Sequence, residues 1–281
     1  MKSAALKYLI CFGAALLLPF AVVAAEETQK PHIVSLDYCS DQYVLALADR
    51  DQIMALSREA TDSHSFYREL AEGLPRFGST AEEILSLAPD RVIRNWAGYN
   101  MLGLLGRTGL EVTSVGFGHD RRALMENIRR VGEAVGQPQR AEETIKDLAR
   151  RMDLLESRPR RKQLVLYLTP SGVTAGKGTY VNDLLNLAGF RTMADEFDYY
   201  GWKDLPLELL AERKPDLIIA GFFDLDFEHN SSWRITRFGL IDRMLGNIPT
   251  IYMPGKYLSC NGIFLPDAAE YIHRELDGVQ R

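Results

Sequence analysis

Apolar and polar positions fall twice along this chain into the same arrangement. Glu82-Glu83-Ile84-Leu85-Ser86-Leu87-Ala88-Pro89-Asp90-Arg91-Val92-Ile93 starts acidic, runs through a short apolar helical stretch, stops at Pro-Asp and enters an apolar run. Glu208-Leu209-Leu210-Ala211-Glu212-Arg213-Lys214-Pro215-Asp216-Leu217-Ile218-Ile219 does the same. Each copy predicts a helix, a sharp stop and a buried strand. Two copies so far apart predict two similar α/β lobes with a cleft between them. Binding is therefore the leading idea before any catalytic motif is considered.

The rest of the pattern extends this picture. Short strands are predicted at 32–36, 52–56, 91–96 and 110–115, with helices at 41–48 and 99–107 and a polar excursion at 58–79. Strands alternating with helices at short spacing predict a parallel sheet. Leu124, Ile128, Val131 and Val135 mark a helix over 120–135, closed by Gly136. Pro138 suits the first turn of a second helix whose apolar stripe is Ala141, Ile145, Leu148, Met152 and Leu155. Over residues 139–157 that helix would be ~28 Å long. No Gly/Ser-rich linker separates the halves, so the helix itself is the expected connection. The second half restarts with a strand at 163–169 and a glycine-rich loop at 171–179, then a helix over 180–188. A last strand at 248–253 and a closing helix at 263–276 complete it.

The first residues stand apart from the fold. Lys2 and Lys7 precede an apolar run from Leu9 to Val23, and Val23-Ala24-Ala25 offers small residues for cleavage. This predicts a secretory signal peptide over 1–25. Pro19 interrupts the run, which is shorter than the ~20 residues a spanning helix needs. The chain carries 33 basic and 38 acidic residues, a net charge of −5, and loss of Lys2 and Lys7 makes it −7. No basic face for nucleic acid is evident. About 255 residues remain, enough for two lobes with real cores. Of the three cysteines only Cys39 and Cys260 persist, an even count that permits one disulfide in an oxidising compartment.

Catalytic signatures are missing. Gly172-Val173-Thr174-Ala175-Gly176-Lys177-Gly178-Thr179 has the wrong spacing for a phosphate loop and reads as a flexible strand-to-helix connection. The histidines show no metal-ligand spacing, though His119 follows a strand in Gly116-Phe117-Gly118-His119 and is a cleft candidate. Aromatics instead gather just after strands: Tyr38; Trp96 and Tyr99; Phe117; Tyr199, Tyr200 and Trp202; Phe222 and Phe223; Trp233; and Tyr257. Sites of open α/β sheets lie at the carboxyl ends of strands, and apolar pockets favour aromatic walls. Trp96, Trp202 and Tyr257 lead that set and would suit a large, flat, partly apolar ligand. Candidate polar contacts are Asp41, Asn95, Lys177 and Lys203.

The strand 32–36, the Gly78–Ile93 segment, the helix at 138–157 and the Trp202–Ile219 segment together resemble class III periplasmic substrate-binding proteins. These are the helical-backbone receptors of ABC importers for ferric siderophores, haem and cobalamin. The resemblance covers about 31–277. It implies two Rossmann-like lobes with parallel sheets joined by one long helix: an N-terminal lobe over 26–137, the helix at 138–158 and a C-terminal lobe over 159–281. It also implies a monomer in the periplasm without a resident cofactor or catalytic activity. Its cargo would be a metal chelate, a ferric siderophore or corrinoid ahead of haem. Haem would call for Tyr38, Tyr257 or His119 as ligand. In this family an exposed glutamate on each lobe meets arginines of the permease, and the matching positions are Glu82 and Glu208. The chain departs from the family after its first strand, where Tyr38 replaces a proline and Asp41-Gln42 replace Thr-Glu. Cys39 lies in that loop and Cys260 in a loop of the other lobe, so both could face the cleft as a disulfide, as free thiols or as soft-metal ligands. Two other readings remain, a bare transition-metal receptor and an exported thiol-dependent enzyme.

Overall fold

The computed structural model describes residues 30–118, 120–222, 239, 241 and 243–279. The expected signal segment lies outside them, as do His119, Phe223 and Trp233. The first lobe contains strands β1 (Ile33–Ser35), β2 (Ile53–Ala55), β3 (Arg91–Arg94) and β4 (Glu111–Ser114). Its helices are α1 (Tyr38–Leu47), α2 (Arg68–Ala71), α3 (Ala81–Leu87), α4 (Leu102–Arg107) and α5 (Arg121–Ala134). Helix α6 (Pro138–Glu156) follows. The second lobe comprises β5 (Leu164–Leu168), β6 (Val173–Ala175), α7 (Tyr180–Leu187), β7 (Arg191–Thr192), α8 (Met193–Glu196), β8 (Trp202–Asp204), α9 (Leu207–Glu212), β9 (Leu217–Gly221), β10 (Thr250–Met253) and α10 (Leu265–Val279).

Both four-stranded sheets are wholly parallel, and they share one topology. The first has the order β2-β1-β3-β4. The second, read from the matching edge, is β7-β5-β9-β10. In each lobe the opening strand pairs with the strand of the repeated segment: Val34 opposes Val92, and Leu166 opposes Ile218. The sequence duplication is therefore a duplication of sheet position.

The Pro-Asp of each repeat has one structural task. Asp90 donates its N–H to the His32 carbonyl (3.0 Å) and accepts the His32 N–H at Oδ2 (2.7 Å). Asp216 does the same with Leu164, at 2.8 Å for both bonds. Each aspartate thus ties the entry of the repeat strand to the entry of the lobe's first strand. The His32 N–H holds the Asp90 carboxyl below its ordinary range. Ahead of it, Ala88 takes a left-handed conformation (φ 48°), which stops α3 before the buried Pro89.

Helix α6 joins the lobes as its stripe requires. Ala141, Leu148, Met152 and Leu155 are buried, and Ile145 packs against them. They belong to one apolar cluster that continues from Ile33 and Ile93 of the first sheet to Val165 and Ile219 of the second. Arg151 of α6 also pairs with Asp267 (3.1 Å) and Glu270 (2.8 Å) of α10.

Two expectations change. The helix expected at 41–48 begins at Tyr38, because Asp37 caps it and Ser40 completes a capping box. The glycine-rich loop contains a short strand: Val173–Ala175 pairs antiparallel with Trp202–Asp204. Gly176 lets the two segments approach closely just past the pairing, since a Cβ there would meet the Tyr199 carbonyl at 2.7 Å.

Candidate functional site

In each sheet the strand order reverses beside the opening strand, between β1 and β3 and between β5 and β9. Crevices for ligands form beyond the carboxyl ends of strands at such switch points. Cys39 and Cys260 show that the two crevices face each other. They form a disulfide (Cα–Cα 5.5 Å) between α1, which follows β1, and the loop after β10. Around it the lobes touch directly. Tyr43 Oη donates to the Asn261 carbonyl (3.2 Å), the Asn261 amide donates to the Gly118 carbonyl, and Phe66 stacks on Phe264 at 4.5 Å.

The first-lobe rim is built around Asp37. Its Oδ1 accepts the Ser40 N–H (2.9 Å), capping α1. Its Oδ2 accepts the N–H groups of Asn95 (2.8 Å), Trp96 (3.2 Å) and Ala97 (3.1 Å). One buried carboxylate therefore organises both chain segments at the switch point. Trp96 stands 47 % exposed, 6.0 Å from Tyr38, whose ring also meets His64 edge-on at 4.6 Å. Burial, and then the nearby Asp37 charge, pushes the Tyr38 phenol up, so it stays protonated. Tyr99 and Phe117 lie further out and are largely exposed.

The second-lobe rim is the small antiparallel β6–β8 sheet. Trp202 is 52 % exposed and meets Tyr167 of β5 edge-on at 5.9 Å. Lys177 pairs with Asp198 (2.7 Å) and lies 5.7 Å over the Tyr200 ring, while Lys203 lies 5.7 Å over Tyr199. Phe222 follows β9 in a left-handed conformation (φ 62°), half-buried.

A family model described as periplasmic binding protein matches residues 33–222. The chain belongs to the periplasmic binding protein family. That family is one of substrate-binding proteins rather than enzymes. No curated protein matches it by sequence. Among solved structures it is similar to the periplasmic heme-binding protein RhuT from Roseiflexus sp. RS-1, with 22% identity, a TM-score of 0.71, and 90% of this chain and 100% of that one covered. The heme-binding protein HutB of Vibrio cholerae shares 20% identity at a TM-score of 0.71, over 87% and 98% of the two chains. The vitamin B12 binding protein BtuF of Vibrio cholerae shares 16% at 0.62, over 89% and 98%.

Several expected contacts of this periplasmic binding protein lie elsewhere than the cleft surface. Asp41 is fully buried and held by Ser57, through Oγ at 2.6 Å and N–H at 3.3 Å, so it has no face for a ligand. Asn95 is buried and spends its amide on the Val115 carbonyl (3.2 Å). Tyr257 packs into the joint between the lobes, 5.7 Å from Phe66 and 5.0 Å from Tyr271. Cys39 and Cys260 carry no thiol in this state, which removes the free-thiol, soft-metal and thiol-enzyme readings together. Among the described residues no group of three His, Cys, Asp or Glu side chains is placed to hold a bare metal ion. Sequence reasoning missed Asp37 altogether. Its signal was present as Asp37-x-x-Ser40, a box ahead of an apolar helix.

Proposed function

We propose that this protein is the periplasmic solute receptor of an ABC importer and that its cleft takes a large, flat metal chelate. A ferric siderophore or a corrinoid ranks ahead of haem. The carrying observation is the distribution of exposed aromatics. Six are exposed among the described residues, and five of them (Trp96, Tyr99, Phe117, Tyr200 and Trp202) lie beyond β3 and β4 or at the β6–β8 sheet. Exposed rings are costly in water unless a ligand covers them, and such walls suit a flat apolar body. The reading includes export by the signal segment and action as a monomer.

Purified mature protein should carry, or take up, a coloured chelate. Its absorbance spectrum and co-purified mass, followed by tryptophan-quenching titrations with cyanocobalamin, a ferric hydroxamate and haemin, will identify the class. Failure to bind any of the three would sink the proposal.

Delivery is assigned to Glu82 and Glu208. Each opens the repeat helix of its lobe, is exposed, and has no ion-pair or hydrogen-bond partner among the described residues. Helix capping does not explain Glu82, because Glu83 fills that role through Thr80. Glu82→Lys and Glu208→Lys should each cut chelate uptake several-fold in cells while leaving the affinity of the purified receptor unchanged. A fall in affinity with uptake by loaded protein intact would reverse the assignment.

A further inference from the structure

We infer that Asp37 is the positioning residue of this cleft: its carboxylate locks the Trp96 segment to the α1 segment bearing Tyr38 and so presents a preformed wall to the ligand. The inference rests on the chelate-receptor reading above for its ligand, and on geometry for the rest. The 95–97 turn aims three consecutive N–H groups at one oxygen, Asp37 Oδ2, while Oδ1 is already used at the α1 N-terminus. Asp37 is fully buried, so water cannot substitute for it. An amide at this position would turn a donor toward a donor, whichever way it was placed.

The second lobe is built differently, which makes the device a property of one wall. There the residue after β5, Thr169, turns its hydroxyl onto the turn that leads into β6, accepting from Val173 N–H (3.1 Å) and lying 3.0 Å from the Ser171 hydroxyl. Lobe one therefore supplies the fixed surface against which a flat ligand is seated. A ring held in place before binding loses little freedom on binding, which raises affinity without new contacts.

The test compares Asp37→Asn with Asp216→Asn. Both remove a carboxylate that accepts backbone N–H, but Asp216 lies at the amino end of the second sheet, away from the cleft. Asp37→Ser is the companion variant, because serine keeps the helix cap while it cannot span to the turn. Two readouts are needed: hydrogen exchange of the amides of residues 95–97, and affinity for whichever of cyanocobalamin, the ferric hydroxamate or haemin the wild type binds best. Both Asp37 variants should exchange these amides at least tenfold faster and bind about tenfold more weakly, whereas Asp216→Asn should match wild type in both. Unchanged protection at 95–97, or an equal loss of affinity in Asp216→Asn, would overturn the assignment. If the wild type binds none of the three chelates, the functional proposal fails, while the exchange measurement still decides the role of Asp37.

Discussion

Replacing Cys39 and Cys260 together by serine is expected to cost about 5 kcal/mol of stability. The link closes a loop with a sequence separation of 221 residues. Constraining so long a loop in the unfolded chain is worth ~5 kcal/mol in the chain-entropy description, with 2–5 kcal/mol the usual loss in small secreted domains. Both side chains are nearly buried, so the serine hydroxyls also enter an apolar joint. At position 39 the carbonyl of Ser259 offers an acceptor, since Cys39 Sγ already lies 3.8 Å from it. Urea unfolding of the oxidised wild type and the double variant measures the difference. A double variant within 1 kcal/mol of wild type would mean that the shared apolar cluster alone holds the lobes together.

The same bond bears on function. Helix α6 is one covalent crossing between the lobes, and Cys39–Cys260 is a second at the carboxyl ends of the sheets. Two crossings confine relative motion to rotation about the line joining them. The Phe66–Phe264 stack and the Tyr43–Asn261 bond close the cleft beside the disulfide. The disulfide and its neighbouring contacts thus restrict how far the lobes can separate on that side.

The fold was readable because its devices are local. The Glu-to-Pro-Asp repeat marks a helix and a strand that occupy the same place in both sheets, and the α6 stripe from Ala141 to Leu155 is buried as its spacing requires. The exposure of the aromatics has the same local origin, since Trp96 stands just past β3 and Trp202 opens β8. What depends on distance across the chain was not. Neither the spacing of Cys39 and Cys260 nor the reach of Asp37 to residues 95–97 is written in any window. Asp41 misled for a related reason. An acidic residue at the first position of a predicted helix reads as exposed, but the Asp37 cap starts the helix earlier and turns Asp41 inward.

Asp41→Asn is expected to stabilise the protein at pH 8 by ~4 kcal/mol and to leave it nearly unchanged near pH 4. Burial, opposed by hydrogen bonds from Ser35 and Ser57 and aided by the Asp37 charge, raises the Asp41 carboxyl to about 7. The unfolded value is near 3.9. Between those values the native state keeps a proton that the unfolded chain has released. The contribution of this group to stability is therefore greatest below about pH 4, falls as pH rises toward 7, and then levels off. Each unit of difference corresponds to about 1.4 kcal/mol, which sets the expected size. Asparagine mimics the protonated carboxyl and removes the slope. Total stability will conceal the effect, because His273 works against it. Burial, with Arg158 and Arg161 adding to it, lowers that imidazole to about 4, so its contribution increases from pH 4 to 6.5. Only the difference between variant and wild type, measured by denaturant titration at pH 4, 6 and 8, isolates Asp41. A difference that stays flat across that range would mean that the Ser57 hydroxyl and N–H sustain a buried carboxylate throughout.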